Sequence, residues 1–106
     1  MYPYTTPHIP LNVPDVDFDD VEFFRVCIHS ADANFIRYIS PSDPAADAET
    51  KTVAVDLTQE ETAQLWNRSH SDIVDFQIRV KFTNGTVGAT NHAKLPIYNI
   101  FDEEVI

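Results

Sequence analysis

The sequence predicts an all-β fold, a two-layer β-sandwich with one short helix, and three observations predict it. Apolar and polar residues alternate with a period of two in several short runs, the pattern of half-buried strands. Those runs are rich in valine, isoleucine and phenylalanine, which suit a pleated surface; the chain has seven Phe. Clusters of Pro, Asn, Asp and Ser separate the runs, and helical periodicity is confined to one brief stretch.

Residues 1–8, M-Y-P-Y-T-T-P-H, contain Pro3 and Pro7 and read as an extended, non-helical arm. Ile9, Leu11 and Val13 then alternate with Pro10 and Asn12. Pro10 cannot donate to a sheet ladder, so this strand belongs at an edge. An acidic connection, D-V-D-F-D-D, leads into the strand Val21–His29. Its alternation slips between Val21/Phe23 and Phe24/Val26/Ile28, which predicts a β-bulge or burial on both faces. Cys27 lies in this run and reads as a buried structural thiol. Phe35–Ile39 is the next strand, with Phe35, Arg37 and Ile39 on one face and Ile36 and Tyr38 on the other. Ser40–Thr50 is a loop by its two prolines and small polar residues.

Lys51–Leu57 alternates cleanly, with Val53, Val55 and Leu57 inward. At Thr58 the period changes. T-Q-E-E matches a capping box in which Thr58 caps a helix and Glu61 reaches back. A short helix Gln59–Trp66 follows, anchored by Leu65 and Trp66. After the loop N-R-S-H-S-D, Val74–Phe82 is the clearest strand, with Val74, Phe76, Ile78, Val80 and Phe82 inward. Asn84-Gly85 predicts a hairpin, and the return strand runs from about Thr86 to Ile97. The domain organisation is thus an arm at 1–8, a sandwich at 9–98 and a tail at 99–106. The order of alternating strand, capped turn, longer strand and tight hairpin resembles the last three strands of immunoglobulin-like domains, without their cysteine pair.

The chain has 106 residues, enough for a single core. Seven basic against seventeen acidic residues give a net charge of −10. That charge repels phosphate backbones and anionic membrane surfaces, so neither nucleic acid nor membrane is an expected partner. A single cysteine excludes an intramolecular disulfide. No apolar run approaches the roughly 18 residues of a membrane helix. The first residues lack the basic and apolar regions of a secretory signal.

No set of residues makes a catalytic centre, and the expected class is non-enzymatic, without cofactor, metal or small-molecule substrate. Asp15, Asp17, Asp19 and Asp20 open like a calcium loop, but an EF-hand needs glycine and glutamate where Asp20 and Val26 stand. His8, His29, His70 and His92 are scattered, without zinc-ligand spacing. Ser69, His70, Ser71 and Asp72 are contiguous, whereas a triad converges from separate segments. Gly85 and Gly88 are the only glycines, too few for a phosphate-binding loop. Asn67-Arg68-Ser69 and Asn84-Gly85-Thr86 match the glycosylation pattern, and a hairpin turn accounts for Asn84.

The start Y-x-Y-T-T-P, the following P-L-x-V-P, the central L-T-Q-E-E-T at Leu57–Thr62 and the final E-E-V-I resemble a group of small proteins encoded by bacteriophages and prophages of gut bacteria. The resemblance covers most of the chain in layout and only short stretches in motif. The Ser40–Thr50 loop departs from it by its length. What the resemblance implies is a virion component, a tail, baseplate or head accessory piece. It would be made in the host cytoplasm and act through contacts with itself or other virion proteins. Arm and tail could clasp neighbours by strand addition. Tyr2 and Tyr4 would supply aromatic anchors, and Ile100, Phe101, Val105 and Ile106 the apolar part of the tail. The alternative is an acidic phage-encoded inhibitor that binds a host protein, its carboxylates imitating DNA.

Overall fold

A computed structural model describes residues 1–66, 72–90, 93–98 and 104–106. In chain order the elements are β1 (His8–Asn12), a 3-10 turn (Phe18–Asp20), β2 (Val21–His29), β3 (Asn34–Ile39), β4 (Ala46–Asp47), β5 (Thr52–Asp56), α1 (Gln59–Leu65), β6 (Asp72–Phe82), β7 (Val87–Ala89) and β8 (Ala93–Ile97). The fold is mainly β, with two sheets and one short helix, as the period-two runs predict. One sheet has the order β1-β5-β4. The other has the order β3-β2-β6-β7, with β8 also paired to β6. All strand pairings among the described residues are antiparallel.

The inner faces of the two sheets meet in one core. Ile9 and Leu11 of β1 and Val53 and Val55 of β5 come from the first sheet; Phe24, Val26 and Ile28 of β2 and Val74, Phe76, Ile78 and Val80 of β6 come from the second. Each strand alternates so that these residues point inward and their neighbours outward. β1 is an edge strand, where the missing N–H of Pro10 leaves no central ladder broken.

The slip in the alternation of β2 is a bulge. Val21 pairs with Phe82 but Phe23 pairs with Lys81, so Glu22 is the extra residue. Val21 and Phe24 both face the core as a result, while Phe23, Arg25, Cys27 and His29 occupy the other face. Cys27 is therefore half-buried on the outer side, and not a core thiol.

Two local features differ from expectation, and the hairpin between them takes one of the forms its sequence allows. β4 is a two-residue strand within the Ser40–Thr50 loop, where Ala46 and Asp47 pair with Val53 and Thr52. The Asn84-Gly85 hairpin has a three-residue loop. Gly85 N–H donates to the Phe82 carbonyl at 3.0 Å, and Phe82 N–H to the Thr86 carbonyl at 2.9 Å. Only Gly85 of these turn residues has a positive φ, +90°, which fits a turn followed by a glycine bulge better than a two-residue loop. The return strand is divided. Arg79 pairs with Ala89 and Phe76 with Ala93, so it advances four residues while β6 advances three.

The helix begins as T-Q-E-E requires. Thr58 Oγ1 accepts from Glu61 N–H at 3.2 Å, and Glu61 Oε1 accepts from Thr58 N–H at 3.0 Å. Leu65 is fully buried, and Trp66 is the C-cap, one residue beyond the last helical one.

Candidate functional site

The residues expected to mediate contacts fall in different places. Tyr2 and Tyr4 lie on a segment that bends. Pro3 is buried, Tyr4 has a φ of +59°, and Thr5 Oγ1 donates to the Tyr2 carbonyl at 2.6 Å. Thr5 N–H donates to Thr62 Oγ1 at 3.2 Å, and the Thr62 hydroxyl donates back to the Thr5 carbonyl at 3.0 Å. At the other side of the bend, the terminal ammonium donates to the Pro96 carbonyl at 2.9 Å and Tyr98 N–H to the Met1 carbonyl at 2.8 Å. The arm at 1–8 is thus folded over and hydrogen-bonded to α1 and to the end of β8. Tyr2 packs on Tyr98, ring centroids 5.4 Å apart, while Tyr4 is half-buried.

Ile100 and Phe101 lie outside the described residues, as do His70 and His92. Val105 and Ile106 are exposed. The Ile106 backbone exchanges two hydrogen bonds with the side-chain amide of Gln59, of 2.7 and 2.8 Å. The structure thus brings Tyr2 and Tyr98 together, and both Thr5 of the arm and Ile106 of the tail hydrogen-bond to side chains of α1.

A different surface does show convergence. On the outer face of the five-stranded sheet, Ile36 and Tyr38 of β3 and Val87 of β7 are exposed, and Ile73 is exposed at the opposite end of β6, where Tyr98 follows β8. The other exposed large apolar residues described are Tyr2, which stacks on Tyr98, and the two tail residues. Apolar residues gathered on one sheet face mark an interaction surface more surely than the same residues scattered singly.

Basic residues join them. Strand register sets Tyr38 opposite Arg25, Arg25 opposite Arg79, Phe23 opposite Lys81, and Lys81 opposite Val87. These six residues line a groove of about 180 Å³. Phe23 meets Tyr38 edge-on at 5.4 Å, and the Arg25 guanidinium lies 5.7 Å from the Tyr38 ring centroid, within cation–π range. Arg25 Nε is buried and makes no hydrogen bond.

The other described cations are engaged elsewhere. Arg37 pairs with Glu61, and Lys94 with Asp75 at 3.6 Å. Lys51 Nζ donates to the Val16 carbonyl at 2.8 Å and sits 5.3 Å from the Phe18 ring centroid. Among the described residues, none forms an ion pair with Arg25, Arg79 or Lys81. Like charges directly opposite each other destabilise a sheet, so the Arg25–Arg79 pair weakens the fold where it stands.

The acidic run is close by. The Asp20 carbonyl accepts from Thr83 N–H at 2.9 Å, which places the 3-10 turn against the β6–β7 hairpin. Asp15, Asp17, Asp19, Asp20 and Glu22 are all exposed. The Asp17 carboxylate caps the turn by accepting from Asp19 N–H at 3.1 Å. Among the described residues, no three of His, Cys, Asp and Glu are grouped to hold a metal ion.

One carboxylate is electrostatically tuned. Burial pushes Glu61 up, but hydrogen bonds from Thr58 and Arg37, together with the Arg37 charge, outweigh it and hold Glu61 below its ordinary value. This group joins β3 to the start of α1, and its role is structural. A concavity of about 490 Å³ runs between Pro10–Val16 and the β6–β7 side of the second sheet, and Asp15 is the one ionisable residue among its described lining. Among the described residues, no helix is long and apolar enough to cross a membrane.

No protein-family model matches the chain, and no curated protein or solved structure does.

Proposed function

We propose that this chain is a non-enzymatic structural or assembly module of a phage virion, working through protein–protein contacts. The observation that supports contact as its function is the outer face of the five-stranded sheet, where exposed Tyr38 and Val87 and half-buried Phe23 line a groove with three cations that form no ion pair among the described residues. Aromatic residues and arginine are enriched in the centres of protein interfaces, because both combine large contact area with a polar or charged group. The virion setting rests on the resemblance in layout described above. An immunoglobulin-like arrangement fits the same reading: the orders β1-β5-β4 and β3-β2-β6-β7 agree with such a sandwich, with α1 at the corner between β5 and β6.

The inhibitor alternative has less support. A DNA mimic needs a continuous negative face, whereas here the acidic turn adjoins a cationic groove. The test is size-exclusion chromatography with mass detection, alone and with particles of the encoding phage. A defined oligomer or co-migration with particles is the expected result. A monomer that ignores particles would refute the assembly reading.

A further inference from the structure

We infer that the outer face of the five-stranded sheet is a self-complementary docking surface for a second copy of this chain, related by a two-fold axis, with the groove of each copy receiving the acidic turn of the other. The inference rests on the protein–protein reading above and names the partner. The first support is charge complementarity. Among the described residues the groove's Arg25, Arg79 and Lys81 form no ion pairs, and the chain itself carries the matching segment in Asp15–Glu22, five exposed carboxylates within eight residues.

The second support is placement. The acidic turn abuts the β6–β7 hairpin, and the groove begins one pairing step further along the same strands, where Phe23 opposes Lys81. Two or three residues of strand span about 7–10 Å, near the screening length of about 8 Å in physiological salt. The two charge groups of one molecule therefore neutralise each other only in part. Their side-by-side arrangement, negative then positive, is what a two-fold axis makes complementary. Rotating a second copy by half a turn sets its positive groove against the first copy's acidic turn and the reverse, as an isologous contact requires.

The net charge also selects this mode. Two copies at −10 each repel over most of their surfaces. The groove is where the carboxylates of another copy gain by approaching. Phe23, Tyr38 and Val87 add apolar area there.

Sedimentation velocity on the full chain and two charge-reversed variants tests this. One variant carries Arg79→Glu and Lys81→Glu, the other Asp19→Lys and Asp20→Lys. Wild type should dimerise, and each variant alone should dimerise about a hundredfold more weakly, since like charges then face each other twice. Mixing the two variants should restore a heterodimer, because both contacts become opposite-charge again. Circular dichroism melts of each variant check that the fold survives, and the mixture controls for it directly, since unfolded partners could not recover.

A wild-type chain that stays monomeric overturns the inference, and co-migration with particles would then still leave the assembly reading standing. A dimer indifferent to both reversals overturns it too, and places the contact on another surface. Loss in each variant without rescue in the mixture overturns the mutual pairing.

Discussion

The two sheets differ most on the sides that face away from each other. Outside the three-stranded sheet stand His8, Pro10 and Asn12 of β1 and Thr52, Ala54 and Asp56 of β5, with no exposed large apolar residue among them. Outside the five-stranded sheet stand tyrosine, isoleucine, valine, phenylalanine and arginine. The inner faces are alike, both built of buried aliphatic and aromatic side chains. A sandwich requires its inner faces to be apolar and imposes little on its outer ones. Composition that departs from small and polar on one outer face is therefore not something the sandwich itself demands.

The contrast can be broken most forcefully from inside. Phe76 is 1% exposed at the centre of β6, so Phe76→Ala should destabilise by about 3–5 kcal/mol, read as a lower midpoint in urea unfolding. A comparable loss from Tyr38→Ala on the outer face would erase the distinction between the two sides.

The hairpin that joins the groove to the acidic turn should respond next. Gly85→Ala places a side chain at a φ of +90° and should cost about 1–2 kcal/mol from backbone strain, measured in the same unfolding experiment. Nothing lies within 4 Å of the added Cβ, so a much larger loss would point to a steric cause that the turn does not contain.

Thr58→Ala removes one arm of the capping box and should cost about 1 kcal/mol. The other arm gives a pH signature. Glu61 titrates below its ordinary value, so the stability it confers is fully present above the unfolded-state pKa and lost as pH falls through the lower folded one. Glu61→Gln should flatten the acid side of a thermal-midpoint profile against pH. An unchanged profile would show that other carboxylates govern acid unfolding.

The smallest stability change, and the sharpest view of the outer face, comes from Ile36→Thr and Val87→Thr. Both keep a β-branched residue in the strand and remove exposed apolar surface, so each should leave stability within about 0.5 kcal/mol. Self-association in sedimentation should nonetheless weaken. Association unaffected by both would move the contact away from this face.

Much of the sandwich could be read from the sequence because its signals are local. Val74 to Phe82 alternates without interruption, Thr58 and Glu61 are three residues apart, and the slip in β2 shows in its own residues. The features that escaped depend on partners distant in the chain. β4 has only Ala46 and Asp47 to mark it, and it is a strand because β5 lies alongside. The loop length at Gly85 was ambiguous because Asn-Gly suits more than one hairpin turn. The candidate site was the least legible part. Alternation puts Tyr38, Arg79 and Lys81 on solvent sides one strand at a time. That they share a groove follows from β2 lying between β3 and β6, an order no single segment specifies. The course of the first residues was not legible either: the two prolines suggest an extended arm, whereas Thr5 is held to α1 by Thr62, a partner 57 residues away.

The pairing of β2 with β6 has a further consequence during synthesis. β2 can form a hairpin with β3 almost at once, because only residues 30–33 separate them. Its other edge must wait for β6, which begins at Asp72. At roughly 5–20 residues per second, the intervening chain takes about 2–9 s to emerge. For that interval the ribosome-bound chain presents an open, apolar strand edge, the kind of template that invites wrong pairings. Glu22 and Arg25 both lie on that strand, and charges along a waiting edge discourage neighbours from adding to it. The same bulge that aims Phe23 and Arg25 outward thus places ionic residues where a nascent chain is most exposed to its neighbours.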